Sequence, residues 1–337
     1  MKKSLLVTAL SLICCTATAE SNVSLYGTLD AGISYNNALQ AGSVVRLSSG
    51  LESGSFVGFK GSEELGSGIK ALFALEQGIH LDRGETSSAG TFSRKAYVGV
   101  SGDMGTLRLG RQYSPLTNAQ GIVDPFEHGL AGDLREFFGT DATNTAHYVR
   151  MSNAVNYQTP DTLAGLSGEI AYGFGEQPGA FKQQRQFGVA LGYVKGPVQI
   201  AYAYHNANTD TAILAGPVFQ THFIGGTYDF GVLKLRAAMD RNTQGASALK
   251  TTDYLLGVSI PFGTSAVYAD YMHKKNSIGT STGASGYAIG YTYALSKRTD
   301  LYSAASFLDN YRNASLGGTD VPGKNITKLQ AGIRHTF

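Results

Sequence analysis

The chain has 337 residues, only 15% of them charged, and it is rich in glycine (43), tyrosine (19) and phenylalanine (16). Its 27 lysines and arginines nearly balance 25 aspartates and glutamates, which excludes the broad basic surface of a nucleic-acid-binding protein. After residue 19, no segment has the roughly 18 consecutive apolar residues of a membrane-spanning helix, so the chain is either soluble or crosses a membrane as a closed barrel.

The first residues have the pattern of a secretory signal peptide. Lys2 and Lys3 form a positive start, residues 5–13 form an apolar run too short to span a bilayer, and Ala17-Thr18-Ala19 is a typical cleavage pattern. We therefore expect residues 1–19 to be a signal peptide and residues 20–337 to form a single domain. Loss of the two lysines leaves equal numbers of basic and acidic residues, so local charge must carry the function.

Both cysteines of the chain lie inside this segment. Cleavage after Ala19 removes Cys14 and Cys15, so the mature chain has no disulfide and no thiol ligand, although its compartment is oxidising. A lipoprotein that keeps one acylated cysteine is the alternative, and the bulky Leu12 and Ile13 disfavour it. The sequence indicates no cofactor, no metal site and no catalytic residues.

The rest of the chain is a series of segments in which apolar and polar residues alternate. Between residues 233 and 240, one face carries Leu233, Leu235, Ala237 and Met239, and the other carries Lys234, Arg236, Ala238 and Asp240. A period of two predicts a strand, and lipid on one side with water on the other would favour this pattern, as would a half-buried soluble sheet. The pattern recurs at 187–193, 198–205, 254–260 and 287–293, with tyrosines near the strand ends, as at a membrane interface.

Short and long connections also alternate along the chain. Tight turns such as 102–105 and 195–197 alternate with long polar stretches, of which the longest is about 114–146. Outer-membrane barrels have this asymmetry, and the landmarks give about sixteen strands, enough for an aqueous lumen. The charged residues of the inward faces are therefore expected to line the pore, although simple solvation of a wet wall is the alternative: Lys70, Glu76, Lys234, Arg236 and Asp240.

The last segment ends on an aromatic residue. Leu329, Ala331, Ile333, His335 and Phe337 share one face of an alternating strand. A terminal aromatic after such a strand is typical of outer-membrane barrels, and we interpret Phe337 as an assembly signal.

Several blocks together resemble the trimeric Gram-negative porins, especially the neisserial and betaproteobacterial branch. They span the mature chain: Val23 to Gly32, Val57 to Gly66, Ser93 to Val100, Gly105 to Gln112 and Ala331 to Phe337. The resemblance implies an all-β fold, namely a transmembrane antiparallel β-barrel of about 16 strands whose long third external loop, here about 114–146, folds into the lumen.

The resemblance also implies a pore constriction in which basic residues of the wall face acids of the loop. Arg94 and Arg150 stand at the positions of wall arginines, and Lys60 lies on the same inward face. Asp124 and Glu127 are the best loop acids. Tyr113, at the root of the loop, either packs as a lumen aromatic or anchors the loop.

Two positions depart from a simple assignment of this wall. Phe56 stands where the family often has another arginine, and Arg46 compensates only if it reaches inward across the irregular residues 48–50. By alternation alone Arg94 faces lipid, so its place in the pore rests on the resemblance.

The sequence thus predicts an outer-membrane porin, a water-filled channel for passive diffusion of ions and small hydrophilic solutes. An anion- or solute-selective channel of the same fold is the alternative, and a barrel enzyme or an adhesin is disfavoured because the histidines are scattered without a catalytic motif. Expected partners are a homotrimer, outer-membrane lipid and lipopolysaccharide, the outer-membrane assembly machinery, and small ions and polar solutes, but no nucleic acid.

Overall fold

The computed structural model describes residues 21–88, 90–138, 148–160, 164–209, 218–245, 249–276 and 281–337. The predicted signal peptide, residues 1–19, lies outside the described residues, as does part of the predicted constriction loop, residues 139–146. No helix within these ranges is long and apolar enough to cross a bilayer.

The described residues form eighteen strands, one α-helix and one 3₁₀ turn. The helix α1 is Pro115–Val123 and the 3₁₀ turn is Leu134–Glu136. In chain order the strands are β1 (Ser21–Asn36), β2 (Val44–Ser49), β3 (Phe56–Gly66), β4 (Ile69–His80), β5 (Glu85–Thr86), β6 (Lys95–Gly102), β7 (Gly105–Tyr113), β8 (Arg150–Gln158), β9 (Leu166–Gly173), β10 (Gln186–Lys195), β11 (Val198–Asn208), β12 (Val218–Asp229), β13 (Lys234–Gln244), β14 (Leu249–Phe262), β15 (Ser265–Asn276), β16 (Ala284–Ala294), β17 (Thr299–Asn310) and β18 (Ile326–Thr336).

These strands close into one antiparallel barrel. Successive strands pair with one another, and β18 pairs with β1 to close the sheet. The strands β2 and β3 pair with successive parts of β1, so they form one barrel strand interrupted by residues 50–55. The short strand β5 pairs only with β4 in a small separate sheet. With β5 left out and β2 and β3 taken as one strand, the barrel has 16 strands, as the sequence predicts.

The alternation of side chains places an apolar surface outside and a polar surface inside. On β13, Leu235 and Met239 are about 40% exposed on the outer face, whereas Asp240 is fully buried on the inner face. The outward residues of other strands are similarly apolar and exposed, as at Leu25, Ile33, Leu47, Leu191, Leu256 and Ile289. This is the arrangement that lipid outside and water inside require.

The described residues 114–138, which follow β7, lie inside the barrel, as expected for the third external loop. It begins with α1, where the Ser114 hydroxyl accepts a hydrogen bond from the Thr117 amide and Pro115 occupies the first turn. One face of α1, including Leu116 and Val123, is buried against strands β10 to β12. The main buried cluster of the protein therefore lies between the loop and the inner wall.

Glycines on the inner wall make room for this loop. A Cβ atom at any of five inward positions would lie 2.7–2.9 Å from a side chain of the loop, closer than atoms can pack. The five contacts are Gly188 with Pro115, Gly225 with Val123, Gly257 with Pro125, Gly286 with Phe137 and Gly290 with Phe126. The inner wall therefore has a seat for the loop, formed by these five glycines.

Candidate functional site

The inward loop leaves a cavity of about 500 Å³ between itself and the wall. The wall side of this cavity carries Arg94, Tyr113 and Arg150, and the loop side carries Glu127 and Arg135. The lumen is therefore narrowed between a basic wall and a charged loop.

The two wall arginines share one tyrosine. The Arg94 and Arg150 guanidinium groups both donate to the Tyr113 hydroxyl, at 3.2 and 3.0 Å. The Arg150 guanidinium also lies 4.6 Å from the centre of the Tyr113 ring, and that of Arg94 lies 4.7 Å from the Phe56 ring. These rings cover the guanidinium faces, which fixes their orientation while the groups still border the cavity.

Arg94 reaches the lumen although alternation places it outside. The strand β6 begins at Lys95, so Arg94 precedes the regular ladder and its side chain turns inward. Its Nε atom lies 3.6 Å from a Glu76 carboxylate oxygen, and Lys95 donates to Glu76 at 2.9 Å. Glu76 is therefore shared by two cations and also accepts a hydrogen bond from Tyr26 at 2.7 Å. Because it is only 2% exposed, its prediction as an open pore-lining residue needs correction.

Three further basic residues of the wall lie at different positions from this cluster. Lys60 lies on the inner face, with its ammonium 4.6 Å from the centre of the Tyr26 ring. Arg46 on β2 pairs directly with Ser34 on β1, and the Ser34 hydroxyl contacts that of Ser48. These three side chains lie on one face, so the inward face of the wall continues through β2 and includes Arg46. Lys70 pairs with Glu64 at 2.5 Å near a tight turn, away from the cavity.

Asp124 does not face the wall, and its predicted place among the pore-facing acids needs correction. The side chain is 1% exposed and accepts hydrogen bonds from the amides of Phe126, His128 and Leu134, at 2.8 to 3.2 Å. It therefore holds the turn that follows α1. Burial, together with the charge of Asp133, raises the pKa of Asp124 to about 7.

Glu127 is the loop acid that borders the open lumen. It has a φ of 51°, which is unusual for a residue other than glycine, and it lines both the large cavity and a second one of about 280 Å³. Three further charged residues of the loop, for which the sequence has no alternation signal, also border the large cavity: Asp133, Arg135 and Glu136. Arg135 pairs with Asp133, and Glu136 pairs with Lys328 at 2.8 Å.

The loop tip contacts a second inward segment, which alternation could not predict. Residues 50–55 fold inward, and the Leu130 amide donates to the Leu51 carbonyl at 2.5 Å. Asp30 holds this segment, since its carboxylate accepts from the amides of Glu52 and Ser53 at 2.7 and 2.6 Å. We call the contact between Leu130 and Leu51 the clasp.

The second cavity lies beside the clasp and carries a separate set of charges. Arg334 donates to Asp300 at 2.8 Å and lies 3.3 Å from a Glu52 oxygen. Glu127 also lines this cavity. The sequence offers one signal for this set. Arg334 lies on the face of β18 opposite to the apolar residues Ala331 and Ile333, so alternation directs its side chain into the lumen.

The sequence profile of the Gram-negative porins matches residues 6–313. The chain belongs to the Gram-negative porin family. It is 32% identical to an outer membrane porin of Delftia acidovorans and 31% identical to one of Bordetella pertussis, and both matches cover all of each chain. A solved anion-selective porin from Comamonas acidovorans is 30% identical, has a TM-score of 0.83, and is matched over 94% of this chain and all of that one.

The predicted family and function are thereby confirmed. The protein is an outer-membrane porin whose barrel forms a water-filled channel for ions and small hydrophilic solutes. A solved OmpF of Salmonella typhi, 18% identical with a TM-score of 0.73, has the same fold.

The remaining predicted residues of the porin occupy three different environments. Lys234 pairs with Asp229 at 3.3 Å near a tight turn, and Arg236 bonds the Ser259 hydroxyl on the inner face. Asp240 is inward but fully buried, with Asn242 donating to it at 2.8 Å, so its prediction as an open pore-lining residue needs correction. It is buried because the inward loop covers this part of the wall.

Phe337 closes the barrel wall next to the first strand. Its amide donates to the Gly27 carbonyl and its carbonyl accepts from the Gly27 amide, both at 3.1 Å. A Cβ at Gly27 would meet the Phe337 ring at 2.7 Å, so the ring lies directly on the β1 backbone.

Proposed function

We propose that the constriction of this porin favours anions, within a channel that otherwise passes small hydrophilic solutes without specificity. One observation carries the proposal: Arg94 and Lys95 share the single carboxylate of Glu76, and no carboxylate of the described residues pairs with Arg150. Positive charge therefore exceeds negative charge on the wall of the narrow passage. Such an excess attracts anions and repels cations.

Other wall residues extend this excess along the lumen. Lys60 and Arg46 lie on the inner face, and neither forms an ion pair within the part of the chain that the structure describes. On the loop, Asp133 and Glu136 are each paired with a cation, which leaves Glu127 as the acid opposing the wall. The name of the similar porin from Comamonas acidovorans, which states anion selectivity, supports the proposal.

The test is the zero-current potential of single channels in a planar bilayer under a salt gradient. The wild type should be anion-selective, and Arg94→Ala or Arg150→Ala should each shift the potential toward cations. One charge at about 4 Å in water is worth about 1 kcal/mol, so each permeability ratio should change about fivefold. Arg298→Ala, in a tight turn, is the matched control and should leave the ratio unchanged.

Two results would contradict this assignment. Unchanged permeability ratios in both variants would remove the wall arginines from the filter. A cation-selective wild type would instead mean that Glu127 and the second cavity dominate, and the channel would then be general or selective for another solute.

We further propose the assembly and processing of the porin from its family resemblance. The signal peptide is cleaved after Ala19, residues 20–337 form one barrel domain, and three copies associate. Assembly machinery and outer-membrane lipid are its partners, and it has no enzymatic activity, in keeping with a family of channels. Conductance that rises in steps of three, together with cross-linking in detergent, tests the trimer.

A further inference from the structure

The second cavity lies on the side of the loop that faces the short connections of the barrel. Asp300 on its wall is next to the short connection 295–298, whereas Arg94 and Arg150 lie at the ends of β6 and β8 that are remote from tight turns. Glu127 borders both cavities. We propose that the second cavity binds small amphipathic organic cations, whose ammonium or guanidinium group meets carboxylates while an apolar body packs on the loop.

Acidic groups outnumber basic groups on the wall of this cavity. Among the described residues, three acids and one cation line it: Glu52, Glu127, Asp300 and Arg334. The Arg334 guanidinium donates through Nε and Nη2 to one oxygen of Asp300, at 3.1 and 2.8 Å. Its Nε atom lies 3.3 Å from Oε2 of Glu52, but its hydrogen bond goes to Asp300. The cavity therefore offers carboxylate charge to a second cation.

The Glu52 carboxyl group is buried with one oxygen that accepts no hydrogen bond. Its side chain is 9% exposed, and Oε2 has no hydrogen-bond partner among the described residues, as is also true of Oδ1 of Asp300. Buried carboxylate oxygens normally accept hydrogen bonds, because burial without one costs free energy. Two carboxyl groups around one guanidinium also repel each other unless a proton or a second cation joins them. An ammonium or guanidinium group of a solute satisfies both requirements.

The opposite side of the cavity is apolar and aromatic. Phe126 and Leu130 of the loop and Tyr268 of β15 line it, and the centres of the two rings are 5.9 Å apart. The Tyr268 hydroxyl contacts that of Thr292 at 3.1 Å, which fixes the ring. Aromatic rings pack on hydrocarbon and their faces also attract cations. The cavity volume of about 280 Å³ equals that of about nine water molecules, which suits one small solute.

A compact divalent metal ion fits this cavity less well than an organic cation. Calcium takes about six to eight oxygen ligands, and the described residues contain no group of three acidic or histidine side chains that could hold a metal ion. The Arg334 guanidinium contacts both Glu52 and Asp300, so it repels a compact double charge there. An organic cation carries a single charge and gains from the apolar side as well.

The test measures binding of benzylguanidinium to the purified, folded porin in detergent by isothermal titration calorimetry. The variant is Glu52→Gln, which keeps the shape of the side chain and removes its charge. The matched control is Glu64→Gln, which removes an inner-face acid that pairs with Lys70 near another tight turn, outside the cavity. We expect about tenfold weaker binding in Glu52→Gln, because a charge-assisted hydrogen bond is lost, and unchanged binding in the control. Glu52→Asp keeps the charge and should retain part of the affinity.

Two partial probes test the two halves of the site. Guanidinium without the ring and benzyl alcohol without the charge should each bind the wild type more weakly than benzylguanidinium. Tyr268→Leu should weaken the binding of benzylguanidinium and leave that of guanidinium unchanged. Benzyl alcohol that binds as well as benzylguanidinium would reject the carboxylates as the cause, and guanidinium that binds as well would reject the apolar side.

Three other results would overturn the proposal. Equal affinity of the wild type and Glu52→Gln for benzylguanidinium would remove Glu52 from the site. An equal loss in Glu64→Gln would mean that binding follows net charge. Displacement of benzylguanidinium by millimolar calcium at constant ionic strength would identify a metal site.

A further variant separates this inference from the proposed ion selectivity. Arg94→Ala lies at the large cavity, so its calorimetric affinity for benzylguanidinium should equal that of the wild type. If its permeability ratio is also unchanged, the proposed filter fails while the cation site is supported. A loss of benzylguanidinium binding in Arg94→Ala would instead place the bound cation in the large cavity and overturn the inference.

Discussion

Lys274 is a fully buried cation in the wall of a water-filled barrel. Its ammonium donates to the Phe137 carbonyl in the loop at 2.7 Å and to both Asp253 carboxylate oxygens at 2.8 Å. A buried charge is tolerated only where it is paired and hydrogen-bonded, and here the pairing also attaches the loop to β15.

We therefore expect Lys274→Met to detach this part of the loop. Removal of Lys274 leaves the Asp253 charge buried without a cation, which costs about 3–5 kcal/mol. Single-channel recordings should show larger and noisier currents than in the wild type. The adjacent Lys275→Met faces outward and should leave the current unchanged. If Lys274→Met is as quiet as the wild type, the ion pair does not position the loop.

Two buried groups of the loop, His128 and Asp124, make stability depend on pH in opposite directions. Burial lowers the pKa of His128 to about 4, so its contribution to stability is present above about 6.5 and is lost as the pH falls toward 4. Burial and the charge of Asp133 raise the pKa of Asp124 to about 7, so its contribution is present at low pH and is lost as the pH rises toward 7.

Between pH 4 and 6.5 the pH dependences of these two contributions nearly cancel in the wild type. In His128→Gln the contribution of Asp124 remains, and stability should fall as the pH rises, by up to about 1.4 kcal/mol per pH unit. In Asp124→Asn the slope should have the opposite sign. Thermal unfolding in detergent at several pH values measures both slopes, and slopes of the same sign in the two variants would refute this account.

At this scale the sequence predicts some side chains well and others poorly. Lys60, Arg150 and Arg236 could be placed from alternation or family position, because each has a regular place on a strand or at its start. Asp124 could not, because the amides that its carboxylate accepts come from three positions of an irregular turn. The presence of an acidic residue in a loop does not show whether its carboxylate is buried in a turn or faces solvent.

Among the elements, the inward loop depends on the glycine seat. We expect Gly286→Ala to displace Phe137, because a Cβ there would lie 2.7 Å from its ring. Overpacking of this kind costs about 1–3 kcal/mol and should lower the unfolding temperature and alter the conductance. Gly168→Ala on the outer face, where the nearest side-chain atom lies 3.2 Å away, is the control. Equal behaviour of the two variants would exclude the seat.

The glycines of the seat are a sequence signal for the packing of a loop against the inner wall. Inward positions of β10 to β16 carry glycine where an open aqueous wall would accept any polar residue, and this indicates that another segment packs there. By contrast, the interruption of the wall at residues 50–55 has no such signal, because Asp30, which holds it, lies on a different strand.

For the whole molecule, closure of the barrel depends on the pairing of Phe337 with Gly27. Deletion of Phe337 removes two backbone hydrogen bonds and the ring that lies on β1. We expect synthesis and export to continue while the amount of surface trimer falls, as measured by heat-modifiable gel mobility and surface labelling. Phe337→Tyr keeps the ring and the pairing and should assemble. Normal trimer levels after the deletion would contradict this role.

The architecture as a whole was the most predictable level. Alternation in many segments, alternating connection lengths and the family blocks all indicate the same barrel, so an error in one strand does not change the result. The apolar outer face and the polar lumen follow from the same physical requirement in every strand, whereas the shape of the lumen follows from one irregular loop.

The clasp gives this loop a second fixed point. Leu130 is held by Leu51, and seven residues later Phe137 and Phe138 are held by Lys274 and Tyr148. The segment between these contacts is therefore fixed at both ends. Its position in the lumen is set by these two contacts and by its length. Asp133 and Arg135 hold the backbone of this segment, whereas the Glu136 side chain pairs with Lys328 of the wall. Exchanging Glu136 therefore alters the charge that a passing solute meets while both fixed points of the segment stay in place. A lineage of such porins could thus change which ions it admits while the size limit of the channel stays constant.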